Sequence, residues 1–129
     1  MATTTSRIST INLVMIPSSD QDKSIEFYEQ VGFEKRTDVP FGDKYRWVEV
    51  YPPTGTTGIA LAPPREGDPT GVQTGISLAT DDVDATHEYL QSNGVDVDEQ
   101  VSRMGDPVPP MFWLRDPDGN SIFIVERED

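Results

Sequence analysis

The stretch Leu13-Val-Met-Ile-Pro-Ser-Ser-Asp20 has a counterpart later in the chain, Gly75-Ile-Ser-Leu-Ala-Thr-Asp-Asp82. Each stretch has the apolar pattern of a strand and ends in aspartate, a residue that commonly caps the N-terminus of a helix. Each is followed by a helix-like segment that ends at a glycine, Gly32 in the first copy and Gly94 in the second. The two capping aspartates are 62 residues apart, and so are the two glycines. The chain therefore contains an internal repeat.

Three strand-like segments follow each predicted helix, which gives every copy the order βαβββ. In the first copy they are Phe33–Thr37, Tyr45–Tyr51 and Gly58–Ala62. In the second copy they are Val95–Val101, Met111–Arg115 and Ser121–Val125. The last two are joined by Asp116-Pro-Asp-Gly119, a turn in which proline presets φ and glycine tolerates a positive φ.

The repeat predicts an α+β protein with one domain over residues 1–129. Module 1 covers about 8–62 and module 2 about 72–127. The stretch 63–71, which is rich in proline, glycine and charge, is the predicted linker between them.

Composition excludes several classes of protein. The net charge of −13, from 23 acidic and 10 basic residues, disfavours a nucleic-acid partner. No apolar run approaches the ~20 residues that a transmembrane helix needs. The absence of cysteine excludes disulfides, thiolate catalysis and zinc–thiolate sites. The polar segment Met1–Thr10 lacks the apolar core of a secretory signal, so we expect a cytoplasmic protein.

The acidity itself has two interpretations. It can serve solubility, in a salt-rich cytoplasm for example, because lysine is scarce. It can also create a field that attracts cationic ligands.

Three motifs, in this order and spacing, indicate a family. They are Asp20-x3-Ser24-x2-Phe27-Tyr28-x3-Gly32-Phe33, Thr80-Asp-Asp-Val-Asp-Ala85 with Asn93-Gly-Val95, and Phe112-Trp-Leu-Arg-Asp-Pro-Asp-Gly-Asn120. With them the chain resembles the vicinal oxygen chelate family of glyoxalases, bleomycin-resistance proteins and dioxygenases, from about Ile11 to Glu126. The resemblance implies that the two modules form a curved, eight-stranded cup with helices outside, and that this cup holds a small-molecule ligand. It also implies a homodimer in which the partner chain can complete the cup.

The same resemblance assigns the family's metal-ligand positions to Leu13, about Ala60, Gly75 and Phe123. None of these side chains can ligate a divalent cation. The single histidine, His87, falls in the second predicted helix, so one chain cannot supply two histidines and a carboxylate to a metal. We therefore expect neither a metal nor another cofactor.

Strand alternation predicts which side chains line the cup. The predicted ligand-binding residues are Leu13, Met15, Tyr45, Trp47, Glu49, Met111, Trp113, Arg115 and Phe123. An apolar and aromatic lining with a few polar groups suits a flat or partly apolar organic ligand, and indole rings can hold a cation against their faces. The alternative is that the aromatic side chains simply fill the cup as core.

Glu49 is the candidate catalytic residue. A carboxylate on an inward strand position beside Trp47 suits a general base, or a partner for a ligand cation. The structural alternative is an ion pair with Arg46 or Arg115. Arg115 itself either neutralises a ligand anion or orients the turn that follows it.

Three functions are compatible with these residues. The first is a metal-independent small-molecule binding protein. The second is a metal-independent enzyme, of lyase or isomerase type, with Glu49 as base and Tyr45 or Arg115 stabilising an anion. The third is a divalent-metal-dependent enzyme of glyoxalase or dioxygenase type with non-standard ligands. We take the first as the main hypothesis.

Overall fold

The computed structural model describes residues 7–64 and 71–127, and it contains two copies of the order βαβββ. The first copy comprises β1 Leu13–Pro17, α1 Gln21–Val31, β2 Glu34–Phe41, β3 Tyr45–Tyr51 and β4 Gly58–Ala62. The second comprises β5 Gln73–Thr80, α2 Val83–Ser92, β6 Asp96–Val97, β7 Met111–Arg115 and β8 Ser121–Glu126. The predicted α+β class and tandem order are confirmed. Most of the predicted linker, 63–71, lies outside the described residues.

The eight strands form two four-stranded sheets with equivalent topology, β1-β4-β3-β2 and β5-β8-β7-β6. In each sheet the first strand of the module pairs in parallel with its last strand, and the other neighbours are antiparallel. Within the described chain the two sheets stay separate. The eight strands of the expected cup are therefore present, but one chain does not close them into a single sheet.

Two strands differ from their predicted length by more than one residue. β2 runs on to Phe41, past the predicted end at Thr37, because it is an edge strand and can accommodate Pro40. β6 ends early because the Asp98 carboxylate, rather than a backbone carbonyl, accepts the amide proton of Trp113 at 2.9 Å. The Asp98 side chain thus replaces one backbone hydrogen bond of the antiparallel pairing between β6 and β7.

The helices begin at the predicted caps. The Asp20 carboxylate accepts from the amide of Lys23 at 3.1 Å, and that of Asp82 accepts from Ala85 at 3.0 Å. Gly32 ends α1 with a φ of 122°, which a residue with a Cβ rarely adopts. In the described part of the chain neither helix is long and apolar enough to cross a membrane.

Both modules contribute to one hydrophobic core. The buried sides of the two sheets and the inner sides of the helices meet there, and the residues include Tyr28, Val48, Val50, Leu90, Phe112, Leu114, Ile122 and Ile124. Each helix covers one face of its own sheet. The opposite, open faces of the two sheets therefore point away from this shared core.

A buried asparagine joins the two modules. Asn120 has no exposed surface, and its Oδ1 accepts from the amide of Val72 at 3.0 Å. Its Nδ2 donates to the carbonyl of Pro17 at 2.9 Å and to Asp116 at 3.0 Å. One side chain thus connects the end of β1, the start of module 2 and the turn between β7 and β8.

Asp116 extends this network to helix α1. The hydroxyl of Tyr28 donates to Asp116 Oδ2 at 2.9 Å, and Asp116 Oδ1 accepts from the amides of Asp118 and Asn120 at 3.0 and 2.9 Å. Burial, together with the nearby Asp116 charge, raises the pKa of Tyr28 well above its usual value, so its hydroxyl remains a donor. The Asp116–Asn120 turn, which the sequence shows only as a hairpin, also connects the modules.

Replacing the buried Asn120 should therefore destabilise the fold more than replacing an exposed residue does. We expect Asn120→Ala to lower the free energy of unfolding by about 2–4 kcal/mol, because it leaves several buried polar groups without a partner. Urea unfolding followed by circular dichroism measures this loss. The exposed Asn12→Ala is the matched control and should change stability by less than about 0.5 kcal/mol. Equal stability of the two variants would contradict the assigned role.

Candidate functional site

The open face of the first sheet carries one group of the predicted ligand-binding residues. They are Leu13, Met15, Tyr45, Trp47 and Glu49. Val48 and Val50 lie on the opposite face of β3 and are buried in the core, which fixes the alternation along this strand. Met15 is 61% exposed and Tyr45 50% exposed, so this face is not filled as core within the chain.

A pocket of about 450 Å³ lies on this face, and Met15, Tyr45 and Trp47 contribute to its wall. Phe41 lines it as well and was not among the predicted site residues. The Phe41 ring centroid lies 6.2 Å from that of Trp47. The lining is completed by Ala62, Pro63, Pro64 and Arg46, and the charge of Arg46 is balanced by Asp22 and Asp38. The site is thus a concave, largely apolar surface, as small-molecule pockets commonly are.

Phe41 was missed because β2 was predicted to end before it. The pairing of β2 with β3 places Val39 opposite Trp47 and Phe41 opposite Tyr45. Directly paired residues of antiparallel strands share a face, so Phe41 joins the aromatic side. The alternation Val39-Pro40-Phe41 could have indicated that β2 continues to Phe41, because proline is tolerated in an edge strand.

Glu49 sits between two aromatic donors. The indole Nε1 of Trp47 donates to Glu49 Oε2 at 2.6 Å, and the hydroxyl of Tyr51 donates to Oε1 at 2.7 Å. The hydrogen bond to Glu49, with burial and its charge, raises the pKa of Tyr51. Both carboxylate oxygens are therefore already hydrogen-bonded within the face.

The structural alternative for Glu49, an ion pair with Arg46 or Arg115, is wrong. Arg46 binds Asp38 through Nε at 2.9 Å and Asp22 through Nη1 at 2.8 Å. Arg115 pairs instead with acidic residues of its own sheet. None of the ion pairs between described residues includes Glu49.

The open face of the second sheet carries the other group, Met111, Trp113, Arg115 and Phe123. Trp113 and Phe123 are directly paired, and their ring centroids are 5.0 Å apart. Arg115 Nε lies 3.1 Å from Asp96 and its Nη1 lies 3.1 Å from Asp98. The guanidinium is thus neutralised by its neighbours, and this face has no net positive charge at Arg115.

The structure does not bring the two groups together. The buried sides of both sheets belong to one core, so the predicted residues of β1 and β3 lie on one outer face and those of β7 and β8 on another. His87 belongs to neither face. Its ring packs edge-on against the buried Phe112 at 4.9 Å, and its Nε2 lies 2.7 Å from the carbonyl oxygen of Asp98.

The residues present do not fit the metal site of the family resemblance. On the neighbouring strands Ala60 lies opposite Met15 and Glu49, and Phe123 lies opposite Trp113 and Ser77. Neither position is therefore surrounded by a set of metal-ligating side chains. No group of three histidine, aspartate or glutamate side chains in the described residues could hold a metal ion.

The chain is similar to a known protein family over nearly its whole length. The model of the Glyoxalase/Bleomycin resistance protein/Dioxygenase superfamily matches residues 10–124. The family resemblance inferred from the motifs is thus confirmed. No curated protein sequence matches the chain significantly.

Several solved structures are similar over nearly the whole chain. TnmS3, an antibiotic binding protein from Streptomyces sp. CB03234, is 36% identical, with a TM-score of 0.81 over 95% of this chain and 98% of that one. A superfamily member from Sphaerobacter thermophilus DSM 20745 is also 36% identical, with a TM-score of 0.85 over 93% and 98%. A glyoxalase/bleomycin resistance protein from Streptomyces sp. CB03234 is 38% identical, with a TM-score of 0.73 over 88% and 96%.

An ion pair of Arg46, which lines the pocket, makes the stability of the fold depend on pH in the acid range. Arg46 binds both oxygens of Asp38, at 2.9 and 3.0 Å, and Lys35 binds it at 2.9 Å. The hydrogen bonds from Arg46 and then Lys35 lower the pKa of Asp38 from 3.8 to about 2. Because the folded pKa is depressed, the stabilisation is complete above the usual pKa and is lost as the pH falls through about 2.

We expect Asp38→Asn to cost about 0.5–1 kcal/mol at neutral pH, the range of a well-formed surface pair. The difference from wild type should shrink between pH 4 and pH 2, as the wild-type carboxylate takes up a proton. Urea unfolding of both proteins at four pH values over this range measures it. A stability difference that stays constant down to pH 2 would contradict the role of the charge.

Proposed function

Because the chain belongs to the glyoxalase/bleomycin resistance protein/dioxygenase superfamily, we propose that it is a metal-independent protein that binds a flat or cationic organic molecule. The observation that carries this proposal is the aromatic pocket formed by Met15, Phe41, Tyr45 and Trp47, next to the carboxylate of Glu49. Aromatic faces beside a carboxylate that takes part in no ion pair among the described residues favour cations and flat rings. The net charge of −13 adds long-range attraction for the same class of ligand.

The similarity to TnmS3 supports binding as the function. That protein is described as an antibiotic binding protein, and the present chain aligns with almost all of it. Sequence identity of 36% over 95% of the chain is compatible with a shared mode of action and different ligands. The proposal therefore extends to an organic ligand of antibiotic size, held by stacking and by charge.

The two enzymatic alternatives find less support. A general base at Glu49 needs an oxygen directed at its substrate, and both of its oxygens accept hydrogen bonds from Trp47 and Tyr51. Arg115, the proposed stabiliser of an anion, is held by Asp96 and Asp98. A metal-dependent enzyme would need ligands that the family's metal positions do not offer in this chain.

We also propose that the chain is a homodimer whose ligand site is shared. The two open faces of one chain point away from each other, and the first exposes large apolar side chains, including Phe41 at 60%. β1 and β5 lie at sheet edges, and a free edge can pair with another strand. If the second sheet of another copy joins the first sheet of this chain along these edges, the two sheets together form the eight-stranded cup. The open faces of both sheets then line the inside of that cup.

A cytoplasmic location and the absence of a nucleic-acid partner stay predictions from the sequence. The excess of acidic residues, 23 against 10, supports the second of these, because phosphate backbones need a basic face.

The ligand class can be tested with two tricyclic probes of equal shape and opposite charge, 9-aminoacridine and anthracene-9-carboxylate. We expect isothermal titration calorimetry at low salt to show binding of the cation at least about tenfold tighter than that of the anion. Glu49→Gln should reduce the difference in affinity between the two probes, because it removes the negative charge. Tighter binding of the anion, or equal binding of both probes, would contradict the proposal.

The shared cup can be tested by mixing two inactive variants. If one site takes Trp47 from one chain and Trp113 from its partner, Trp47→Ala and Trp113→Ala should each lose binding of 9-aminoacridine as homodimers. Unfolding and refolding them together should restore about a quarter of the wild-type sites, because about half of the dimers are then mixed and each has one intact cup. Light scattering checks that both variants are dimers. Failure to restore any binding would exclude a site shared in this way.

A further inference from the structure

The pairing of β2 with β3 contains an extra residue beside the candidate site. Lys35 pairs with Val50 and Thr37 pairs with Glu49, so Arg36 has no partner across the ladder. A bulge of this kind redirects a side chain and increases the local twist. Here it releases Arg36 from the alternation of its own strand.

The redirected guanidinium lies over the ring of Tyr51. Its Cζ is 4.7 Å from the ring centroid, within the range of a cation–π contact. The same group donates to the carbonyl of Gly55 at 3.0 Å and to that of Pro53 at 3.1 Å. Arg36 is therefore itself held by the turn between β3 and β4, and its position over Tyr51 is fixed.

The Tyr51 ring also packs directly onto the backbone of β4. A Cβ placed on Gly58 would lie 2.6 Å from two carbon atoms of this ring. No real Cβ contact is that short, so the position of the ring requires glycine there. Tyr51 is confined by Gly58 on β4 and by Arg36 on β2.

From this arrangement we infer that Glu49 and Tyr51 are positioning residues whose task is to fix the indole of Trp47 on the face that binds the ligand. The order of contacts is Arg36 to Tyr51, Tyr51 to Glu49 at 2.7 Å, and Glu49 to Trp47 at 2.6 Å. Each step is a short contact between neighbours on β2 and β3. The bulge thus sets the orientation of an aromatic side chain on the next strand.

This inference rests on the proposed function for its purpose, and it adds a specific role for residues outside the pocket wall. Because the indole N–H is already donated to Glu49, Trp47 presents its π surface and not its hydrogen-bond donor. A ligand therefore meets an aromatic face whose rotamer is set before binding, which reduces the entropy lost on association. Variants that remove the hydrogen bonds holding the Trp47 side chain should weaken binding of 9-aminoacridine about three- to tenfold.

The positioning role can be tested without any ligand. With only two tryptophans, Trp47 and Trp113, the indole N–H region of a nitrogen-15 NMR spectrum contains two resonances. We expect the Trp47 resonance to be narrow, downfield and slow to exchange with water in the wild type. Glu49→Ala and Tyr51→Phe should shift it upfield and broaden it, and Trp113 serves as the internal control.

Two further variants make the result specific. Glu49→Gln keeps an oxygen to accept from the indole, and its amide can donate to the Tyr51 oxygen, so the Trp47 resonance should remain close to wild type. Gly58→Ala should disturb Trp47 although it lies on a different strand. An unchanged Trp47 resonance in Glu49→Ala and Tyr51→Phe would overturn the inference. These spectra are recorded without ligand, so they fail or succeed independently of the two-probe binding test.

Discussion

The buried amide of Asn120 is the interaction on which the arrangement of this molecule depends. It bonds at once to the end of β1, to the start of module 2 and to the carboxylate of Asp116. Asp116 in turn accepts from Tyr28 on helix α1. A fully satisfied polar network in a core fixes geometry more strictly than apolar packing does, because hydrogen bonds are directional. The relative position of the two modules is thus set by a few polar atoms.

That fixed position determines where the predicted ligand-binding residues lie. With the helix-covered sides of both sheets in one core, each open face is presented outward on its own side of the chain. The aromatic pocket near Trp47 and the ring pair of Trp113 and Phe123 therefore belong to separate surfaces. Two copies of the chain can place these surfaces opposite each other, whereas the internal core keeps them apart within one copy.

The charges on the two faces indicate what such a site can recognise. On the first face Glu49 accepts two hydrogen bonds and takes part in none of the ion pairs of the described residues, and on the second face Arg115 is held by Asp96 and Asp98. The two arginines nearest the predicted site residues, Arg46 and Arg115, are thus both held in ion pairs with aspartates. Glu49 bonds to both Trp47 and Tyr51, and the proposed cationic ligand would meet its negative charge beside these rings.

The sequence by itself determined the repeat, the βαβββ order, the helix caps at Asp20 and Asp82, and the family. These properties depend on local periodicity and capping chemistry, which a linear pattern records. Strand alternation also predicted that Tyr45, Trp47 and Glu49 share one side of β3.

Only the tertiary structure decided the partners of Glu49, the contribution of Phe41, and the separation of the two faces. Each depends on strand register, on a bulge at Arg36, or on how two modules pack, and all of these arise between residues distant in the chain. Alternation tells which way a side chain points, but the neighbour that it meets is set by the fold.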